Sequence, residues 1–244
     1  MAVKIGSARI SETGTINGKV GDQKKGGEVS TQNWYPHPKG WYIARAKDPK
    51  KQELIATDME YLCANNHFGY GQSNRSTGYT ACKAVGWDAS KVKKDVNIDC
   101  SKAVQICCLF AGIEVGSFST LTELKILEET GEFEIITDDE ICGNPDYWLR
   151  GDIGVTRTKG HTVVALTNGA KATAATVKKK FKVKTSTGAS LRLRKEPVSG
   201  ATLAYIPNGE TVEPTGQTKK VSGTVWYEVT YKGKKGWSSG KFLV

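Results

Sequence analysis

Of the six cysteines in this 244-residue chain, Cys100 is set apart by its position. Val96-Asn97-Ile98-Asp99 leads into it, and Ser101-Lys102-Ala103-Val104-Gln105-Ile106-Cys107-Cys108-Leu109-Phe110-Ala111-Gly112 follows. That order reads as an approach segment, a polar cap, and a nearly all-apolar helix stopped by Gly112, so the helix belongs inside a core. A thiol in the first helical turn meets unpaired N–H groups and the positive end of the helix dipole. Both favour an anion, so a pKa below about 8.5 is expected and the sulfur becomes a candidate nucleophile. The alternative is that Cys100 is one more small buried apolar residue, as Cys63, Cys82, Cys107 and Cys108 are read.

A cysteine nucleophile needs a base, and there are three histidines, His37, His67 and His161. His161 follows Gly160 and opens Thr162-Val163-Val164-Ala165-Leu166-Thr167, a β-branched run closed by the turn signal Asn168-Gly169. Leu149 to Arg157 reads as the strand before it, joined through Thr158-Lys159-Gly160 as an antiparallel pair. A histidine at the start of a buried strand, on a sheet facing a buried helix, reaches a thiol at that helix's start. His67 precedes a Gly turn and reads as structural or as a substrate contact.

Asp99-Cys100-Ser101 opening an apolar helix, then Arg150-Gly151-Asp152-Ile153 leading into Gly160-His161-Thr162, resembles the NlpC-type cell-wall cysteine hydrolases, nearest to the catalytic domains of phage endolysins. The resemblance covers roughly Ala44 to Lys171. It implies an α+β papain-like fold and cleavage of amide bonds in the peptide part of peptidoglycan. Cys100 and His161 are then the catalytic pair, with no cofactor and no metal. Asp99 and Ser101, together with Tyr70 and Gln72 in the loop upstream, fall where the family borders its cleft. Lys102 stands where the family more often has Gly. The family's third polar residue follows the histidine strand, where this chain runs into Ala170-Lys171-Ala172; Asn168, Asp152 or a backbone carbonyl are the groups available to orient the imidazole.

Hydrophobic residues make up 38% of the chain, which suits a soluble globular protein, and no apolar run approaches the roughly 18 residues of a membrane span. No basic segment followed by an apolar one opens the sequence, so no secretory signal is expected. Adjacent Cys107-Cys108 and the absence of Cys-x-x-Cys argue for reduced thiols rather than disulfides or zinc. The net charge of +10 is uneven: residues 176 to 244 hold 14 Lys and Arg against four Asp and Glu, and the rest is neutral. A basic module suits a polyanion, whether nucleic acid, an anionic membrane or phosphate-rich wall polymers.

Along the chain, turn signals and short strands fill residues 1 to 46, with Trp34, Tyr35, Trp41 and Tyr42 read as packing on the sheet or stacking on ligand. Asp48-Pro49 starts an amphipathic helix carrying Leu54, Ile55, Met59, Leu62 and Cys63, and Ser76 to Val85 forms a second. His67 to Arg75 is expected as a Gly-broken loop. Ser119 is expected to cap a helix through Leu127, and Glu132 to Asp146 to be irregular. The many carboxylates there, Glu123, Glu128, Glu129, Asp138, Asp139 and Glu140, are read as a solvated acidic face.

The predicted domains are residues 1–171, a linker at 172–180, and 181–244. In the last, Leu191-Arg192-Leu193-Arg194, Asn208-Gly209-Glu210-Thr211-Val212, Trp226-Tyr227-Glu228-Val229 and Gly236-Trp237 are short strands between turns, a small β-barrel. Their order resembles the bacterial SH3-like wall-binding domain. That implies Gram-positive peptidoglycan and wall polymers as partners, rather than nucleic acid, with Tyr205, Trp226, Tyr231 and Trp237 as ligand candidates, Trp226 and Trp237 being equally suited to the barrel core. The two resemblances together imply a monomeric phage-type endolysin, without membrane insertion, made in the host cytoplasm and released to the wall through a holin. A non-catalytic wall- or polyanion-binding protein is the alternative.

Overall fold

A buried apolar helix needs a sheet to lie on, and here the strands of that sheet come from both ends of the first unit. A computed structural model describes residues 2–21, 27–172 and 180–244. The chain divides into two units, Met1–Ala174 and Ala175–Val244. Most of the expected linker, residues 173–179, lies outside the described residues.

The first unit runs β1 (Lys4–Ala8), β2 (Val29–Asn33), β3 (Trp41–Ala46), α1 (Pro49–Ala64), β4 (Phe68–Tyr70), α2 (Ser76–Ala84), β5 (Val96–Ile98) and α3 (Cys100–Phe110). It continues through α4 (Glu123–Glu129), β6 (Phe133–Ile136), α5 (Asp139–Gly143), β7 (Ile153–Thr156) and β8 (Thr162–Ala165). Six strands form an antiparallel sheet in the order β2-β1-β8-β7-β3-β6. α1 and α3 pack on each other and on this sheet, and Ile55, Met59 and Leu62 of α1 share one core with Val104, Ile106 and Cys107 of α3.

Local chemistry sets the helix starts. Asp48 caps α1, accepting from Lys50 N, with Pro49 in the first turn. Leu54, expected on the apolar face, is instead exposed. Asp99 caps α3, its Oδ1 accepting from Lys102 N at 2.7 Å. Two stretches expected to be irregular are ordered. Phe68–Tyr70 pairs in parallel with Val96–Ile98, and Phe133–Ile136 closes one edge of the sheet against β3. The short, buried Phe68-Gly69-Tyr70 run lacks the alternation by which strands are read.

The triplet Arg150-Gly151-Asp152 bolts the β7–β8 hairpin to α1 and β3. Arg150 pairs with Glu53 and Glu60 of α1. Gly151 sits at φ +90°, and a Cβ there would lie 2.1 Å from Gln52 O, so only Gly fits. Asp152 is fully buried and ion-paired with Arg45, whose Nε and Nη2 donate at 2.8 and 2.6 Å.

The second unit runs β9 (Phe181–Lys182), β10 (Leu191–Arg194), β11 (Thr202–Ile206), β12 (Thr211–Val221), β13 (Thr224–Tyr231) and β14 (Lys234–Ser239). They form one sheet in the order β11-β10-β14-β13-β12-β9. In β10, Leu191 and Leu193 face the core and Arg192 faces out, the alternation a half-buried strand requires.

One buried acid in the first unit has a consequence for stability. Asp58 of α1 is 0% exposed, and its Oδ1 accepts from Ala89 N at 3.0 Å. Burial pushes its carboxyl up to about 7, helped by Asp88 and opposed by the Ala89 N–H and the Cys107 thiol. The native state therefore keeps a proton that the unfolded chain has released above about pH 4, and this contribution to stability is lost as pH rises toward 7, at up to about 1.4 kcal/mol per pH unit. Asp58→Asn removes that dependence. Urea unfolding should show the variant gaining on the wild type between pH 5 and pH 8; a gap that stays constant contradicts the assignment.

Candidate active site

Cys100 is the first residue of α3 and is 7% exposed. The backbone N–H groups of Ser101 and Thr162 act on its sulfur as hydrogen-bond donors that lower the thiol pKa. Thr162 opens β8, so the start of the helix meets the start of the strand, and His161 is the residue immediately before. His161 N donates to Thr156 Oγ1 at 2.9 Å, and Thr156 N returns a bond to His161 O at 3.0 Å, which fixes the backbone that carries the imidazole. The ring packs 6.5 Å from Trp41, within a cluster of edge-on rings formed with Tyr35 and His37. Tyr35 and Tyr70 are both close enough to Cys100 for its charge to raise their hydroxyl pKa values, though burial is the larger cause in each. The start of α3 and the start of β8 thus lie together, with His161 next to Thr162 and with Tyr35 and Tyr70 near the sulfur.

The electrostatics differ from the expectation of a lowered thiol pKa. Burial pushes the Cys100 thiol up to about 12, and the carboxylates of Asp99 and Glu123 add to the rise; the Thr162 and Ser101 N–H groups oppose it. Burial also pushes His161 down to about 4, with His37 and Arg9 as further causes. Helix-start donors are present, but taking sulfur out of water outweighs them. The resting pair is therefore a neutral thiol and a neutral imidazole.

The remaining expected residues sort by what their polar atoms already bind. Asp99 and Ser101 are buried and committed to each other and to Arg75: Ser101 Oγ donates to Asp99 Oδ1 at 2.9 Å, and Arg75 Nη1 donates to Asp99 Oδ2 at 2.7 Å and to Ser101 Oγ at 3.2 Å. They shape the helix start rather than face a cleft. Gln72 Nε2 donates to Tyr70 Oη at 3.1 Å, which leaves the tyrosine's own O–H to donate elsewhere.

Asp152 and Asn168, the side chains considered for orienting the imidazole, lie at the other end of the hairpin. Asp152 O accepts from Ala165 N, and its carboxylate is taken by Arg45, Gln52 and Leu149 N. Asn168 Oδ1 accepts from Arg150 N. With β8 rising about 3.3 Å per residue, both stand far from His161.

Glu123, read from sequence as part of a solvated acidic face, is fully buried at the start of α4. Its Oε1 accepts from Thr162 Oγ1 at 2.7 Å. The i,i+4 spacing to Leu127, also fully buried, is the signal that would have placed it inward. Arg75 carries no such signal, because it acts from a turn.

In the second unit Tyr205 is 66% exposed, whereas Tyr231 and Trp237 are each 7% exposed. Tyr231 belongs to the barrel core, and Lys219 Nζ lies 4.7 Å over the Trp237 ring, so neither presents the open face a wall polymer needs. A cavity of about 360 Å³ is lined by Leu191, Arg192, Arg194, Val198, Trp226 and Phe242 among others. The Trp226 indole N–H is buried without a hydrogen-bond partner among the described residues.

A six-stranded antiparallel sheet carrying α1 and α3, and a separate small all-β unit, define a two-unit α+β protein. The endolysin-like domain family matches residues 5–172 and the bacterial SH3 domain family matches residues 189–244. The chain belongs to the endolysin-like domain family and carries a bacterial SH3 domain; together they make it a cell-wall-acting endolysin. No curated protein matches it.

The neutral resting pair is directly measurable. Imidazole carbon and proton shifts of His161 should show a neutral ring from pH 8 down to a midpoint near 4. A midpoint near the ordinary 6.5 would contradict the burial of the ring, and a ring still protonated at pH 8 would indicate a thiolate–imidazolium pair.

Proposed function

We propose that the first unit is a papain-like, NlpC-type cysteine hydrolase that cleaves an amide bond in the peptide part of peptidoglycan, as an N-acetylmuramoyl-L-alanine amidase or a stem endopeptidase. The observation that carries this reading is the meeting of α3 and β8, where the Thr162 N–H next to His161 addresses the Cys100 sulfur within an endolysin-like domain. His161, neutral at physiological pH, takes the thiol proton as the sulfur attacks the carbonyl carbon. The same imidazolium returns the proton to the leaving amine, and water then releases the thioester. The Cys100 backbone N–H at the start of α3 and the Tyr70 hydroxyl are the donors offered to the oxyanion, a role worth about 3 kcal/mol per donor elsewhere.

His161 is oriented by ring packing on Trp41 and by its fixed backbone. The second unit tethers the enzyme to its insoluble substrate, which raises the local substrate concentration without altering the chemistry. The Trp226 cavity, basic through Arg192 and Arg194, is the contact we assign to it.

A second reading, a wall-binding protein without catalysis, draws on the deep burial of Cys100 and the distance of Asp152 and Asn168 from the imidazole.

Cys100→Ala and His161→Ala should each lower the rate of wall clearing by more than about 10³-fold, by analogy with removal of nucleophile or base in other hydrolases. Both should still sediment with purified walls. Full clearing by Cys100→Ala sinks the hydrolase reading, and mass spectrometry of the released fragments separates amidase from endopeptidase. Trp226→Ala should reduce wall binding about tenfold or more while leaving cleavage of soluble muropeptides intact; unchanged sedimentation would remove the cavity from the binding surface.

A further inference from the structure

The Thr162 peptide is the joint of the candidate site, and a buried acid holds its side chain. Glu123 is 0% exposed, its Oε1 is 2.7 Å from Thr162 Oγ1, and its Oε2 is buried with no hydrogen-bond partner among the described residues. Through one residue, the carboxyl is linked both to the N–H aimed at the Cys100 sulfur and to the backbone of His161. We propose that Glu123 is a positioning residue of the cysteine centre, a buried carboxyl that pins the start of β8 through Thr162 so that sulfur, N–H and imidazole stay in register. The proposal deepens the hydrolase reading and rests on it for the link to catalysis.

The surroundings of Glu123 favour the neutral form. From α3 it is faced by Asp99, Cys100 and Cys108, and from β8 by the Thr162 hydroxyl. α4 also packs on β3 and β6, whose charged residues are Arg45 and Glu134. Arg45 is ion-paired with Asp152, and Glu134 is its cross-strand neighbour. Burial, with Asp99 adding and the Thr162 hydroxyl opposing, pushes the Glu123 carboxyl up to about 8.

An ionised carboxylate so close to Cys100 disfavours the negative sulfur that forms during attack. As pH rises past 8, Glu123 loses its proton, and the thiol becomes harder to ionise at the very pH where exposed thiols react faster. Below 8 the acid is neutral and serves as a fixed hydrogen-bonding strut. The device thus bounds the working range of the centre from above, as protonation of His161 bounds it from below.

The test compares wild type, Glu123→Gln and Glu123→Ala in the full chain. Alkylation of Cys100 by iodoacetamide is followed from pH 5 to pH 10 and located by peptide mass spectrometry, with wall clearing recorded in parallel. Gln keeps the size and the bond to Thr162 but cannot ionise. Its Cys100 should alkylate within about twofold of wild type at pH 6 and at least about fivefold faster at pH 9. Ala should cut clearing at pH 6 by about tenfold or more, and Gln should recover it to within about threefold.

Superimposed Gln and wild-type profiles across the range, or a Gln variant as defective as Ala at pH 6, would overturn the proposal. Should a variant not fold, wild type labelled with ¹³C-carboxyl glutamate gives the same answer: one glutamate should hold its proton until about pH 8, and a full set ionised by pH 6 refutes it. Alkylation does not depend on wall cleavage. Failure of the hydrolase reading would therefore show as clearing by Cys100→Ala, with the Glu123 effect on the thiol still present.

Discussion

The structure of the first unit depends on one junction, where the opening turn of α3 abuts the opening of β8. Neither end is held by regular secondary structure alone. The helix start is set by Asp99, which caps Lys102 N and is itself gripped by Arg75. The strand start is set by the reciprocal bonds of His161 with Thr156 and by the Glu123–Thr162 contact. Buried polar groups of this kind are costly when unpaired and rigid when paired, so a site built from them keeps its geometry. The charge pairs at the far end of the hairpin, Arg45–Asp152 and Arg150 with Glu53 and Glu60, do for β7 and β8 what Arg75–Asp99 does for α3.

That arrangement separates two jobs that the motif residues had seemed to share. Asp152, one residue after Gly151, anchors the hairpin to β3 and takes no part at the thiol. Arg150 and Gly151 fit the hairpin onto α1. The proposed chemistry is left to Cys100 and His161, which come from different elements, as do Tyr35 and Tyr70 near the sulfur. In the second unit the split is similar: Tyr231 and Trp237 build the barrel, and Trp226 with two arginines lines the open cavity.

What the sequence disclosed follows the physics of local signals. Asp48-Pro49, Asp99 before an apolar run, and the β-branched run after Gly160-His161 are local, and the elements they announce are present with nearly the expected bounds. The alternation in Leu191-Arg192-Leu193-Arg194 likewise gave the barrel strand. Register and burial are not local. Which end of the hairpin Asp152 occupies depends on pairing with β8, and the burial of Glu123 depends on α4 lying against β3 and β6 and on its contact with Thr162. The sign of the Cys100 shift was missed for the same reason: a helix start is visible in a sequence, whereas the removal of water from it is not. Tyr70 was expected in a loop because Phe68-Gly69-Tyr70 is too short and too uniformly buried to alternate.

In the proposed reaction the sulfur of Cys100, relieved of its proton by a neutral His161, attacks a wall peptide carbonyl and passes through a thioester. Acid quenching of the full protein during turnover of soluble muropeptides, followed by peptide mapping, tests it most directly. A single adduct, released by hydroxylamine, is expected on the peptide that contains Cys100. New amines appearing in the muropeptide with no adduct on Cys100, or with the adduct on another residue, would contradict it.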